Sequence, residues 1–172
     1  QPDLSLPPRA LNPGQAACVA VLKDMLDSGG FQAALLDGVT GSGKTEVYLE
    51  AVAEALKDPE AQVLVLLPEI ALTQAVMARF EQRFGAVPAE WHSGVSPPRR
   101  RQVWEAVAGG NARIVVGARS ALFLPFSKLR LIVVDEEHDS SFKQEEGFIY
   151  QARDLAVARA KIEGASVLLA SA

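Results

Sequence analysis

The chain has 172 residues, 49% of them apolar and 22% charged, and a net charge of −4. That is enough chain and enough apolar content for one domain with a sizeable core, and the acidic total argues against coating nucleic acid by bulk charge while leaving a local groove open. The single cysteine, Cys18, excludes an intrachain disulfide or a cysteine-rich zinc cage within these residues; no apolar run reaches membrane-spanning length, and the N-terminus carries no signal segment.

In chain order, residues 1–10 hold three prolines and read as a linker. Asn12-Pro13 reads as a helix cap with proline at the first helical position, and the helix runs to about Leu26, ending near Ser28-Gly29-Gly30. A strand is predicted over Phe31 to Asp37, a helix over Glu46 to Leu56, and a strand over Gln62 to Leu67, an unbroken Val/Leu run that suits a strand buried on both faces. Ile70 to Phe84 is predicted helical, Pro88 to His92 a short strand, and Ser96 to Ala108 a helix stopped by Gly109-Gly110. Strands over Ala112 to Gly117 and Leu129 to Asp135 follow, then a helix over Gln151 to Glu163 and a last strand over Ser166 to Ala170. Alternating strands and helices imply an α/β fold with a doubly wound, mostly parallel sheet flanked by helices. The chain opens on Gln1 and closes on Ala170-Ser171-Ala172 straight after a strand, and is expected to be a domain of a larger protein.

Two stretches carry chemistry. Gly38-Val39-Thr40-Gly41-Ser42-Gly43-Lys44-Thr45 fits the phosphate-loop pattern between a strand and a helix. Its glycines bare backbone N–H groups to phosphate, and the helix N-terminus adds its positive dipole end. Lys44 is expected to reach the β- and γ-phosphates of ATP, and the Thr45 hydroxyl to sit on Mg²⁺. The duller alternative is a glycine-rich turn with a solvated lysine. Downstream, Leu131-Ile132-Val133-Val134 leads into Asp135 and Glu136 at the carboxyl end of a strand, where open parallel sheets bind ligands. Asp135 is placed to hold the Mg²⁺, and Glu136 to orient or deprotonate water. A solvated strand-end turn is the alternative.

Asp135-Glu136-Glu137-His138 resembles the DExH-box branch of the superfamily 2 helicases, and other segments extend the likeness. Leu11-Asn12-Pro13-Gly14-Gln15 resembles the adenine-reading Q motif, with Gln15 as reader. Leu67-Pro68-Glu69-Ile70-Ala71-Leu72-Thr73 resembles motif Ia. His92-Ser93-Gly94 and Gly117-Ala118-Arg119-Ser120-Ala121-Leu122-Phe123 resemble nucleic-acid-facing segments, and Ala170-Ser171-Ala172 the start of motif III. Asp139 through Gly147, Tyr150 and Ala152-Arg153-Asp154 resemble the aromatic-rich loop of the replication-restart helicases. The resemblance implies a RecA-like P-loop NTPase domain over residues 11–172, the first lobe of an ATP-dependent 3′-to-5′ DNA helicase acting at stalled or branched forks. It implies ATP and Mg²⁺ as cofactors, single-stranded and forked DNA as partners with primosome proteins and single-stranded DNA-binding protein, no membrane, and a bacterial cytoplasmic setting. It also implies a second lobe with an arginine finger and a zinc-binding insertion elsewhere in the parent. Neither can be carried over onto Cys18 or an arginine of this chain, so the isolated lobe is expected to be a monomer with little or no activity.

The coupling residues implied are Thr73, Arg119, Ser120, His138, Phe142, Lys143, Tyr150 and Arg153. Phe142 and Lys143 suit base stacking and a phosphate contact, although aromatics such as Phe148 also close cores. His138 relays between loop and nucleotide or simply hydrogen-bonds in its turn. Arg119 and Ser120 suit a phosphodiester contact or a structural ion pair. Arg99-Arg100-Arg101 reads as a solvated cluster or an anion contact. Trp91 and Trp104 read as core or interface, and Cys18 as a small buried residue of its helix. A P-loop ATPase acting on a non-nucleic-acid substrate is the other function class.

Overall fold

The computed structural model describes residues 1–37, 43–136 and 144–171, with the backbone alone for 144–151. Its elements are α1 (Pro13–Ser28), β1 (Gln32–Leu36), α2 (Gly43–Ala55), β2 (Gln62–Leu66), α3 (Gln74–Phe84), β3 (Ala89–Trp91), α4 (Pro97–Ala108), β4 (Ile114–Gly117), β5 (Leu129–Asp135), α5 (Gln144–Glu163) and β6 (Ser166–Ala170). Two short 3₁₀ turns, Glu69–Ala71 and Arg119–Phe123, follow β2 and β4.

The six strands form one sheet in the order β1-β6-β5-β2-β4-β3, and every pairing is parallel. α1, α2 and α3 cover one face and α4 and α5 the other, so the core has two layers. Alternate residues of β2 and β5 serve them in turn: Val63, Val65, Leu131 and Val133 meet the α1–α3 layer, and Leu64, Leu66, Ile132 and Val134 the α4–α5 layer. That two-sided burial is why residues 63–66 and 131–134 are continuous apolar runs.

α1 carries the expected cap. The Asn12 side chain accepts from the Gln15 amide at 2.8 Å, and the Gln15 side chain accepts from the Asn12 amide at 2.9 Å. Four element starts differ from expectation by two residues or more; α2 begins at Gly43, ahead of Glu46. The helix predicted from Ile70 is a 3₁₀ turn and then α3, because the Thr73 hydroxyl caps the Val76 amide at 3.3 Å and starts the helix there. β4 starts at Ile114, since the Asn111 and Ala112 amides close the end of α4 on the Ala106 carbonyl. α5 starts at Gln144, ahead of Gln151, on the helix-forming run Gln144-Glu145-Glu146.

Across α2 and α3 run two ion pairs. Arg83 grips Glu50 with two bonds of 2.7 and 3.1 Å, and Arg79 pairs with Glu46. The N-terminal residues lie along this seam: the Asp3 amide donates to the Phe84 carbonyl at 2.6 Å and Arg83 to the Leu6 carbonyl at 3.1 Å. α3 ends on Gly85 in the left-handed conformation, φ 67°.

β3 approaches β4 closely at Gly117, where an added Cβ would lie 2.6 Å from the Trp91 carbonyl oxygen and 3.0 Å from the Ala121 Cβ. Gly117→Ala is therefore expected to lower stability by about 1–3 kcal/mol through overpacking, measured as the shift of the urea unfolding midpoint; an unchanged midpoint would mean that β3 gives way freely.

Candidate active site and nucleic-acid interface

The site gathers at the carboxyl ends of β1, β6 and β5. Leu36 and Asp135 both lie in register with Ala170, on either side of β6. The Glu136 amide donates to the Ala170 carbonyl at 2.9 Å, and the Ser171 amide to the Leu36 carbonyl at 2.9 Å. The central strand therefore fixes the depth at which β1 ends and β5 delivers its two acids.

α2 brings its first turn to the same place. Lys44 is 2% exposed and Asp135 1%, and Nζ of Lys44 lies 2.9 Å from Oδ1 of Asp135. Among the described residues no acceptor lines up to make a hydrogen bond to that Nζ. A buried ammonium with spare donor capacity is chemically suited to an oxyanion. Thr45, 4% exposed, follows at the helix start. The residue set fits a nucleotide phosphate with a divalent cation: one buried cation for phosphate, and a hydroxyl and a carboxylate for metal. Gly38, Val39, Thr40, Gly41 and Ser42 lie outside the described residues, while Gly43 opens α2. Gln15 is tied to it, its Nε2 donating to the Gly43 carbonyl at 3.0 Å. The Gln15 amide keeps one hydrogen and one lone pair beyond its protein bonds, enough to meet a purine edge.

Tyr48, which the sequence reading passed over, belongs to this cluster. It is 1% exposed, and its hydroxyl hydrogen-bonds the Asp135 carboxylate and the Thr45 hydroxyl. Burial pushes that hydroxyl well above its ordinary pKa, with the Asp135 charge and hydrogen bond acting the same way, so it stays protonated as a donor. Lys44 and Tyr48 stand four residues apart on one helix face, and that spacing was the available signal.

Glu136 is 3% exposed, and its carboxylate takes a two-bond fork from Nε and Nη2 of Arg153, in α5. Sequence reasoning assigned both residues without pairing them.

Of the residues expected to face nucleic acid, Thr73, Arg119 and Ser120 sit after the carboxyl ends of β2 and β4, on the same edge of the sheet. Thr73 is exposed and caps α3. Arg119 and Ser120 are exposed at the start of the 3₁₀ turn after β4, and Phe123 at its end is 66% exposed. Glu69 was overlooked. Its carboxylate accepts from the Ser93 amide and hydroxyl, both at 3.0 Å, and these bonds, the amide's first, hold Glu69 below the ordinary carboxylate range. Arg100 departs from a solvated cluster: it lies 5.6 Å from the Trp91 ring and donates to the His92 carbonyl at 2.9 Å, whereas Arg99 and Arg101 are exposed. Trp91 and Trp104 face each other at 6.3 Å. Cys18 is half-buried against the core. His138, Phe142 and Lys143 lie outside the described residues, as do the side chains of Phe148 and Tyr150.

The sequence model of the DEAD/DEAH box helicases matches residues 12–172. The chain belongs to that family. Family membership implies use of ATP, in keeping with the buried Lys44 and Asp135. The helicase chain is 48% identical over 162 residues to the replication restart protein PriA of Haemophilus influenzae, covering 94% of this chain and 22% of that protein. To PriA of Bacillus subtilis it is 45% identical over 166 residues, covering 96% and 20%. The chain thus spans about a fifth of the length of the curated relatives it matches. Among solved structures, RecG bound to a three-way DNA junction superposes with a TM-score of 0.70 at 17% identity, over 97% of this chain and 22% of that one. That likeness establishes the RecA-like helicase fold. No described helix is long and apolar enough to cross a membrane.

Tyr48→Phe keeps the ring and removes the hydroxyl from the Asp135 carboxylate. It is expected to lower stability by about 1.5–3 kcal/mol, the usual worth of a hydrogen bond to a charged group, read from urea melts; an unaltered melt would show that the bond contributes nothing.

Proposed function

We propose that this chain is the first, ATP-binding lobe, residues 11–172, of a PriA-type replication-restart helicase that translocates 3′-to-5′ at stalled or branched forks in the bacterial cytoplasm. The observation that carries the reading is the buried Lys44–Asp135 pair at the strand ends, in a chain nearly half identical to PriA proteins along almost all of its length.

When bound, ATP with Mg²⁺ supplies the phosphoanhydride to be cleaved and a divalent charge. Lys44 neutralises phosphate oxygens, Thr45 and Asp135 hold the metal, and Tyr48 orients both of those ligands. Glu136 orients water and takes its proton. Gln15 contacts the adenine edge. Single-stranded DNA crosses the strand ends over Thr73, Arg119 and Ser120, with Phe142, Lys143, Tyr150 and His138 coupling its presence to hydrolysis. The parent protein works with primosome proteins and single-stranded DNA-binding protein.

The test is ATP turnover and unwinding by the full-length protein, with and without forked DNA. DNA is expected to stimulate turnover, and Lys44→Ala to abolish unwinding; unwinding at normal speed by that variant would refute the assignment. Glu136→Gln is expected to bind ATP normally and turn it over about 10²-fold more slowly or worse, the usual worth of a positioned base. Normal turnover by this variant would move the catalytic role elsewhere, and turnover indifferent to every DNA would favour a substrate other than nucleic acid.

A further inference from the structure

Glu136 is the acid on which the proposed hydrolysis rests, and its carboxylate is already engaged. Nε and Nη2 of Arg153 meet Oε1 and Oε2 in a parallel fork. A general base has to take water's proton on one of those oxygens; held this way, both face a guanidinium, which fills the in-plane approach between them. The acid is almost fully buried, while the arginine side chain is about a third exposed, so the arginine is the partner with room to leave.

Arg153 belongs to α5, whose fully buried described side chains are a stripe of alanines, Ala152, Ala156 and Ala160, with Leu155 and Val157 partly buried beside them. Methyl groups make shallow ridges. They fix the distance of the helix from the sheet more firmly than its position along its axis. Farther along α5, Nη1 of Arg159 donates to the Leu122 carbonyl at 2.8 Å, inside the turn that carries the exposed Arg119 and Ser120. Arg153 and Arg159 are six residues apart, about 9 Å along the helix. One helix therefore ties that turn to the acid through two arginines.

We propose that Arg153 restrains hydrolysis: its fork withholds Glu136 from water, and single-stranded DNA bound at the Arg119–Phe123 turn draws α5 through Arg159 and frees the acid. The inference rests on the helicase reading above and names the regulation of that same site.

The experiment is ATP turnover by the full-length protein, with and without single-stranded DNA, for Arg153→Ala, Arg153→Lys and Arg159→Ala, with folding checked by circular dichroism. Arg153→Ala is expected to raise DNA-free turnover at least about five-fold, the lower end of ordinary coupling between sites, and to shrink the stimulation by DNA to match. Arg153→Lys keeps the charge and loses the fork, so its rise is smaller. Arg159→Ala leaves DNA-free turnover unchanged and loses most of the stimulation. A purely structural role for Arg153 can only lower turnover. DNA-free turnover that stays level or falls in the folded Arg153 variants overturns the restraint, and undiminished stimulation in Arg159→Ala overturns the route through α5. A wild-type protein indifferent to DNA sinks the helicase reading and with it the trigger, while the DNA-free rise still decides whether Arg153 restrains Glu136.

Discussion

A lysine and an aspartate share a place almost sealed from water, and the arrangement around them follows from that choice. Burying two charges costs several kcal/mol per ion, and their mutual attraction repays it only where geometry and hydrogen bonding are good. Here the attraction acts at 2.9 Å between the first turn of α2 and the last residue of β5, and β1, which precedes α2, is separated from β5 in the sheet by β6. The pair can form only if β1, β6 and β5 end level with one another, and the register through Ala170 provides that. Tyr48 adds a donor to the same carboxylate. An apolar pair of similar size would give an equally good core and no use for it, so the pair is more readily understood as preparation for an anion than as a device for stability.

Charge also organises the flanks, with different consequences at each place. The Glu46–Arg79 and Glu50–Arg83 pairs join α2 to α3 at partly buried positions, where solvent screens them less than an exposed pair. They hold the helix that begins at Gly43 against its neighbour, and so hold the start of α2 in place. On the opposite layer α4 packs through Val103 and Val107, the fully buried described side chains of α5 are alanines, and Arg153 and Arg159 provide specific attachments.

The sequence made some of this plain and hid the rest for physical reasons. β5 and β6 were legible to the residue, because a parallel strand buried on both faces reads as a nearly continuous apolar run, broken in β5 only by the half-buried Arg130 before its terminal Asp135. Lys44, Thr45, Asp135 and Glu136 were singled out by residue types at fixed spacing, and the fold brings Lys44 within 2.9 Å of Asp135. The start of α3 was obscured: the apolar residues around Ile70 keep a helical rhythm, yet the Thr73 hydroxyl offers the backbone a better start three residues on. α5 was read seven residues short because Gly147 and its aromatic neighbours suggest a loop by composition. The Glu69–Ser93 and Glu136–Arg153 contacts join residues 24 and 17 positions apart in sequence; no local pattern encodes them, since each depends on which strand ends the fold sets side by side. The inward turn of Arg100 onto Trp91 was equally hidden, because three adjacent arginines look alike until one of them finds a ring.

The chain contains two tryptophans, and both stand in the corner formed by β3 and α4, their rings 6.3 Å apart with Trp104 about half exposed. All indole emission from this lobe therefore originates at one place, next to the His92-Ser93-Gly94 segment and remote in sequence from Lys44 and Asp135. The fold has built in an optical probe of that corner alone. A change in its fluorescence speaks for β3 and α4, and events confined to the place where Lys44 meets Asp135 pass it by in the dark.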